Sequence, residues 1–179
     1  MMVSFVARGK QIEVDQLENL LVVRTAAEEA AARVVRGECL VAWQGQLFGA
    51  GPVDGLPTEV VHFLSGSSWI PVAVVQGKDA LPAVEPLAVG RLYRDADGNW
   101  MIGTGSITVR LKEELAQPAV DKALSRYGLS VKRQLKFAPN LYEAEAATPD
   151  QALKVAQAAS HDEQFVYAEP TMLRQLSHR

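Results

Sequence analysis

The most regular alternation of apolar and polar residues in the chain begins at Ser106. The residues that follow alternate strictly, which is the pattern of a half-buried β-strand with one face toward a core. The apolar positions are Ile107, Val109 and Leu111. After Pro118 the apolar spacing changes to three and four residues and ends at Gly128. This predicts an amphipathic helix with a proline at its first position and a glycine cap.

Further strands and a second helix follow toward the C-terminus. Four apolar residues are predicted to share one face of the next strand: Leu129, Val131, Leu135 and Phe137. A turn leads to a third strand over residues 141–146. Thr148 and Pro149 begin a second helix, with Gln151 in the capping-box position, and residues 164–168 form the last strand. This order predicts a ferredoxin-like βαββαβ antiparallel sheet with two helices on one face, and hence an α+β fold.

The first hundred residues predict a mostly-β unit that contains one helix. Alternation between Gln11 and Arg24 suggests two strands joined near residues 18–19. Thr25 and Glu28 have capping-box spacing, so the alanine-rich run that follows is predicted as a helix near residues 26–36.

Short apolar runs separated by glycine and proline clusters predict further strands. These runs are residues 40–43, 60–64, 70–75, 87–93 and 100–102. The glycines and prolines of residues 45–57 predict a mobile loop. We therefore expect two parts: an N-terminal unit over residues 1–104 and a second unit over residues 105–179.

The composition narrows the broad class of protein. The chain has 179 residues, 48% of them hydrophobic, and a formal charge of −3, so it can build a packed core and has no general attraction to nucleic acid or anionic membranes. The longest apolar run, residues 69–75, is too short to cross a bilayer. Residues 1–8 lack the apolar core of a secretory signal, so we expect a cytoplasmic chain unless the native start is missing. The single Cys39 excludes an intramolecular disulfide.

The sequence contains no familiar catalytic motif. His62 precedes Ser65 and a glycine-serine run, but there is no Gly-x-Ser-x-Gly elbow, and a base rarely lies so close along the chain to its nucleophile. Phosphate-binding glycine loops are absent, and the histidines do not have the spacing of a zinc site. We therefore predict that the chain is not an enzyme and has no catalytic residues, no metal and no cofactor.

Residues 95–99 are predicted to form a hairpin turn between two strands. Their acidic and amide side chains also suggest a calcium loop, but such a loop needs a glycine at its sixth position and a glutamate at its twelfth. Those positions hold Trp100 and Ser106. The hairpin interpretation is therefore preferred.

Four short segments occur in the order found in one protein family. They are Ile107-Thr108-Val109-Arg110, Tyr127-Gly128-Leu129, Ala138-Pro139-Asn140 and Val166-Tyr167-Ala168-Glu169-Pro170. Together they resemble the prodomain of subtilisin-like serine proteases, over about two-fifths of the chain. The resemblance implies a non-catalytic, propeptide-like module that inhibits such a protease and assists its folding.

The resemblance also implies two contacts with the protease. The exposed face of the sheet packs on two surface helices of the enzyme, where carboxylates stabilise helix N-termini. The implied docking residues are Glu143, Glu145, Asp150, Tyr167 and Glu169. The segment after the last strand runs into the active-site cleft as an added strand. This inhibitory tail is Thr171, Met172, Leu173, Arg174, Gln175 and Leu176. Leu176 is expected near the scissile position, with Leu173 three residues before it.

Other functions stay open at the level of sequence. The protease is expected either in cis, as a domain of a longer gene product, or in trans, as a separate enzyme. The main alternative is a ferredoxin-like regulatory or assembly module with no protease partner, because that fold hosts many functions. RNA binding is disfavoured, since Arg110, Lys132 and Lys136 are accompanied by only Tyr142 or Tyr167 for stacking. We therefore expect no nucleic acid and no membrane partner.

Overall fold

The chain has an α+β fold built on one large sheet. The computed structural model describes residues 1–7, 9–24, 38–43, 46–52, 57–65, 67–74 and 89–174. Within this part there are ten strands, most of them antiparallel, and three helices. The predicted helix near residues 26–36 lies outside the described residues.

Among the described residues, strands predominate in the first half of the chain, and helices alternate with strands in the second half. The strands are β1 (Met2–Ala7), β2 (Lys10–Arg24), β3 (Glu38–Trp43), β4 (Gln46–Pro52), β5 (Trp69–Val74), β6 (Val89–Asp95), β7 (Trp100–Leu111), β8 (Ser130–Gln134), β9 (Leu141–Glu145) and β10 (Phe165–Arg174). The helices are α1 (Thr58–Leu64), α2 (Gln117–Arg126) and α3 (Pro149–Ala159).

The sheet runs in the order β4-β3-β5-β2-β6-β7-β9-β8, with β1 paired to β2 and β10 paired to β7. Strands β3 and β5 are parallel, and the other pairs are antiparallel. At the C-terminal end the local order is β10-β7-β9-β8. Helix α2 connects β7 to β8 and α3 connects β9 to β10, so each helix joins two strands that have another strand between them.

Strand β7 joins the two ends of the sheet. Its residues 100–103 pair with β6 and its residues 106–110 pair with β9, while β10 runs along its opposite edge. The predicted boundary between residues 104 and 105 therefore falls inside one continuous strand. Tyr93 from the first predicted unit also shares a hydrophobic cluster with Ile107 from the second. The division into two units stays a prediction.

Alternate residues of β7 serve two cores on opposite faces of the sheet. Ile107, Val109 and Leu111 are fully buried in a cluster with residues of α2 and α3. Ile102, on the other face, packs in a second cluster with residues of α1. Because side chains alternate along a strand, one continuous β7 can bury both sets without a break in the backbone.

The ends of the two C-terminal helices largely confirm the sequence-based predictions. Pro118 is the second residue of α2, one position later than predicted, and Gly128 after the helix has φ +65°, the left-handed conformation that glycine adopts most readily. The Thr148 side chain accepts a hydrogen bond of 3.1 Å from the Gln151 backbone N–H at the start of α3. The turn at residues 95–99 is also confirmed, since it joins the antiparallel pair β6 and β7.

Three segments of the first hundred residues differ from the prediction. Residues 10–24 form one strand rather than two, because β2 continues through an irregularity in its pairing with β6. Residues 58–64 form helix α1 rather than a strand, since their buried side chains recur at helical spacing. Residues 46–52, predicted as part of a loop, form strand β4 against β3.

The predicted apolar face of the strand after α2 is also wrong. Of its four residues only Leu129 is buried, whereas the side chains of Val131 and Phe137 are 48% and 83% exposed. Strand β8 ends at Gln134, so Phe137 lies in the turn that follows. Because β8 is the edge strand of the sheet, solvent reaches every one of its residues.

Asp162 links the end of α3 to α2. Its carboxylate accepts hydrogen bonds of 2.9 Å from the Gln164 backbone N–H and from the Tyr127 hydroxyl, and it pairs with Arg126. These donors, with the Gln164 bond as the largest contribution, hold the pKa of Asp162 below its ordinary value near 3.8. The folded chain therefore holds the carboxylate ionised at a lower pH than the unfolded chain does.

We expect Asp162 to make the stability of the protein pH-dependent at acid pH. The stabilisation is fully present above the ordinary pKa and is lost as pH falls through the lowered pKa of the folded state. The free-energy difference of unfolding between the natural chain and Asp162→Asn should shrink from about pH 6 to about pH 2, as urea titrations would measure. A difference that stays constant over this range would contradict the assignment.

Candidate functional site

The C-terminal end of the sheet has one face that α2 and α3 do not cover. Both helices pack over the buried side of β7, β9 and β10. We call the opposite side of β7, β8, β9 and β10 the outer face. Strand register places nine exposed or half-buried residues on it: Ser106, Thr108, Arg110, Ser130, Arg133, Glu143, Glu145, Tyr167 and Glu169.

Two of the predicted docking carboxylates form ion pairs across the β8–β9 hairpin. The Arg133 Nε donates to Glu143 Oε2 at 2.6 Å, and the Lys132 Nζ lies 3.0 Å from Glu145 Oε2. An irregularity in the pairing between Val131 and Arg133 brings both basic side chains to the same face. Exposed pairs of this kind contribute about 0–1 kcal/mol each, so another partner can displace them at small cost.

Strand β10 contributes the other two docking residues on the outer face. Tyr167 pairs with Arg110 in strand register, and Glu169 pairs with Thr108. Both side chains are half-buried. The outer face thus brings together four of the five predicted docking residues: Glu143, Glu145, Tyr167 and Glu169.

Asp150 lies elsewhere, in the first turn of α3 on the helix-covered side of the sheet. Its carboxylate accepts a hydrogen bond of 3.2 Å from the Tyr93 hydroxyl and lies 3.0 Å from Arg91 Nη2. Burial, followed by the charge and hydrogen bond of Asp150, raises the pKa of Tyr93. The Tyr93 ring packs directly on Gly103, where an added Cβ would lie 2.5 Å from the ring. These contacts give Asp150 a role in packing α3 against β6, separate from the outer face.

The first four residues of the predicted inhibitory tail are part of the last strand. Thr171 to Arg174 continue β10, and Met172, Leu173 and Arg174 pair with residues 103–101 of β7. Gln175 and Leu176 lie outside the described residues. The first part of the tail is therefore strand-paired to its own sheet in this structure.

Sequence reasoning missed the partners of the predicted site residues. Lys132 and Arg133 were not connected with Glu143 and Glu145, although opposite charges on adjacent strands of a hairpin are a usable signal. Arg91 could not be connected with Asp150, because the two residues meet only through the tertiary packing of α3 on β6. Long-range pairs of this kind leave no local pattern in the chain.

Metal clusters and membrane spans are two further features that bear on function. Among residues whose placement is described, no group of three or more His, Cys, Asp or Glu side chains is arranged to hold a metal ion. No helix in the same part of the chain is long and apolar enough to span a membrane.

Comparisons with known proteins return no match. No protein-family model matches the chain, and no curated protein or solved structure matches it significantly.

Proposed function

We propose that the chain is a non-catalytic, propeptide-like module that inhibits a subtilisin-like serine protease and assists its folding. It acts by docking the outer face on the enzyme and by presenting its C-terminal tail as a substrate-like strand. The protease is either a domain of the same gene product (in cis) or a separate enzyme (in trans). Neither a cofactor nor a metal takes part in this function.

The observation that carries the proposal is the outer face. Four of the five docking residues implied by the family resemblance lie together on this side of the sheet, which α2 and α3 do not cover. Their carboxylates, Glu143, Glu145 and Glu169, suit the partial positive charge at the N-termini of surface helices. Each carboxylate at a helix N-terminus contributes roughly 0.3–1 kcal/mol, so a row of them favours a partner that presents two such helices.

The strand order gives further support. We propose that residues 106–174 form a ferredoxin-like unit within the larger sheet. The local spatial order is β10-β7-β9-β8, and neighbouring strands are antiparallel. Along the chain, helices follow β7 and β9. Both features agree with a split βαβ arrangement. The four segments that resemble subtilase prodomains all lie in this unit or its turns.

The pairing of the tail with β7 favours a second candidate function. A tail that completes its own sheet needs no protease to account for it. On this interpretation the chain is a ferredoxin-like regulatory or assembly module with no protease partner. Inhibition assays separate the two functions, because the second gives the outer face and the tail no effect on any protease.

The outer face is tested by removing its two paired carboxylates. Full-length chain carrying Glu143→Gln and Glu145→Gln is expected to inhibit a broad-specificity subtilisin roughly tenfold more weakly than the natural chain. The reason is that two favourable contacts with helix N-termini are lost. The measurement is the inhibition constant from hydrolysis of a chromogenic peptide at fixed ionic strength.

A matched control has the same change in net charge away from the outer face. Glu114→Gln with Glu163→Gln alters two exposed carboxylates in turns and should leave the inhibition constant within about twofold. If both double variants weaken inhibition equally, the effect comes from net charge, and Glu143 and Glu145 are not docking residues. No inhibition by the natural chain would favour the assembly module instead.

A further inference from the structure

The pairing of β10 with β7 is irregular between Phe165 and Tyr167 and again between Pro170 and Met172, and the second irregularity divides the strand into two segments. The inner segment is Phe165–Pro170 and the outer segment is Met172–Arg174. Thr171 alone separates them on β10, whereas residues 104–106 separate their partners on β7. The ladder is therefore interrupted at Thr171, and Pro170 beside it has no N–H to donate. An interrupted ladder lets one segment open while the other stays paired.

The two segments are anchored to very different degrees. Phe165 and Ala168 of the inner segment are buried in the hydrophobic cluster beneath α3. In the outer segment Leu173 is 39% exposed and Arg174 is exposed, and only Met172 packs partly against the cluster.

Side-chain contacts of the outer segment are correspondingly weak. The Arg174 Nε lies 3.2 Å from the thioether sulfur of Met101, which is a poor acceptor. At the β6–β7 turn, burial acts to raise the pKa of Asp95, but hydrogen bonds from Asn99 and from the Asp97 N–H outweigh it and lower that pKa, and the charge of Arg174 adds only the smallest contribution. Backbone pairing to β7 thus holds the outer segment more than side-chain burial does.

We propose that the outer segment is a detachable strand, and that it must leave β7 before the tail can enter a protease cleft. In the paired state the inhibitor is therefore self-masked. This inference rests on the proposed function and adds a regulatory step to it. The hinge is Thr171, and the docked outer face stays in place while the outer segment opens.

Release is needed because a cleft that binds an extended peptide encloses it. Backbone groups of the peptide pair with the cleft edge, and its side chains enter pockets on either side. In the folded chain β7 occupies one edge of the outer segment, and β6 lies directly beyond β7. An enzyme cannot place its own strand and pockets around residues 172–174 until that edge is vacated.

Hydrogen exchange on the natural full-length chain tests the hinge without any protease. Among the backbone amides that donate to β7, those of the outer segment are expected to exchange at least tenfold faster than those of the inner segment. Equal protection of the two segments would overturn the detachable strand, whatever the protease assay shows.

A reversible cross-link tests whether release is required for inhibition. Ile102 and Leu173 are directly opposed in the ladder, and opposed residues of antiparallel strands are close enough for a disulfide. The variant carries Ile102→Cys and Leu173→Cys, with Cys39→Ser to leave no third thiol. The oxidised form is expected to inhibit a broad-specificity subtilisin at least tenfold more weakly than the same protein after reduction.

The reduced protein is its own control, and the single variant Ile102→Cys reports any loss of packing around that residue. Equal inhibition by oxidised and reduced forms would overturn the need for release and leave the proposed function intact. Absence of inhibition by the reduced form and by the natural chain would instead overturn the proposed function. The exchange measurement then decides separately whether the strand detaches.

Discussion

A chain that ends at Pro170 is expected to inhibit a broad-specificity subtilisin roughly 100-fold more weakly than the full-length chain. The truncated chain keeps the outer face but lacks Leu173 and Leu176, the two apolar side chains proposed to fill subsites of the cleft. Loss of two buried anchors in an extended peptide removes on the order of 3 kcal/mol of binding free energy. The measurement is the inhibition constant of each chain against the same enzyme.

Truncation also removes strand pairing between residues 172–174 and β7, so a second variant must leave β10 whole. Leu176→Ala changes one proposed anchor, leaves residues 172–174 as they are, and is expected to weaken inhibition about tenfold. Gln175→Ala is its matched neighbour and should change inhibition by less than about twofold. If both the truncated chain and the Leu176→Ala variant inhibit as well as the full-length chain, the outer face alone accounts for inhibition.

Asp150→Ala is expected to lower the free energy of unfolding by about 2–4 kcal/mol. The substitution removes the acceptor for the buried Tyr93 hydroxyl and an ionic partner of Arg91, whose side chain is only 11% exposed. Both groups lie on β6, so the packing of α3 against that strand is weakened as well. Urea unfolding of the two proteins at neutral pH measures the difference.

A matched control for this substitution lies on the other C-terminal helix. Asp121 of α2 accepts a hydrogen bond of 2.8 Å from Gln117 at the exposed surface, and Asp121→Ala should cost less than about 0.5 kcal/mol. Equal effects of the two substitutions would mean that the Asp150 contacts contribute nothing beyond an ordinary surface pair. If Asp150→Ala keeps the stability of the protein but abolishes inhibition, Asp150 contacts the protease, as the sequence predicts.

The second half of the chain was largely predictable because its signals are local. The strict alternation of Ile107, Val109 and Leu111 predicts that these three side chains share a buried face, as they do. The capping side chain of Thr148 predicts where α3 begins, and its hydrogen bond from Gln151 confirms that position. Four predicted docking residues share a surface for a similar reason, since residues of matched parity on paired strands point to one face. The first half was less predictable, as the helix at residues 58–64 shows, because short apolar runs fit a strand or a helix equally well.

Local patterns in the chain were enough to locate most strands and helices of the C-terminal part, because alternation, caps and turns act over a few residues. Which side chains meet depended on the folded chain as a whole. In the folded chain the first part of the predicted tail belongs to β10 and pairs with β7. Asp150, predicted to lie on the docking face, contacts Tyr93 and Arg91 instead. Those outcomes depend on strand pairing and helix packing between residues far apart in the chain, where contact free energies compete globally and no local pattern records the result.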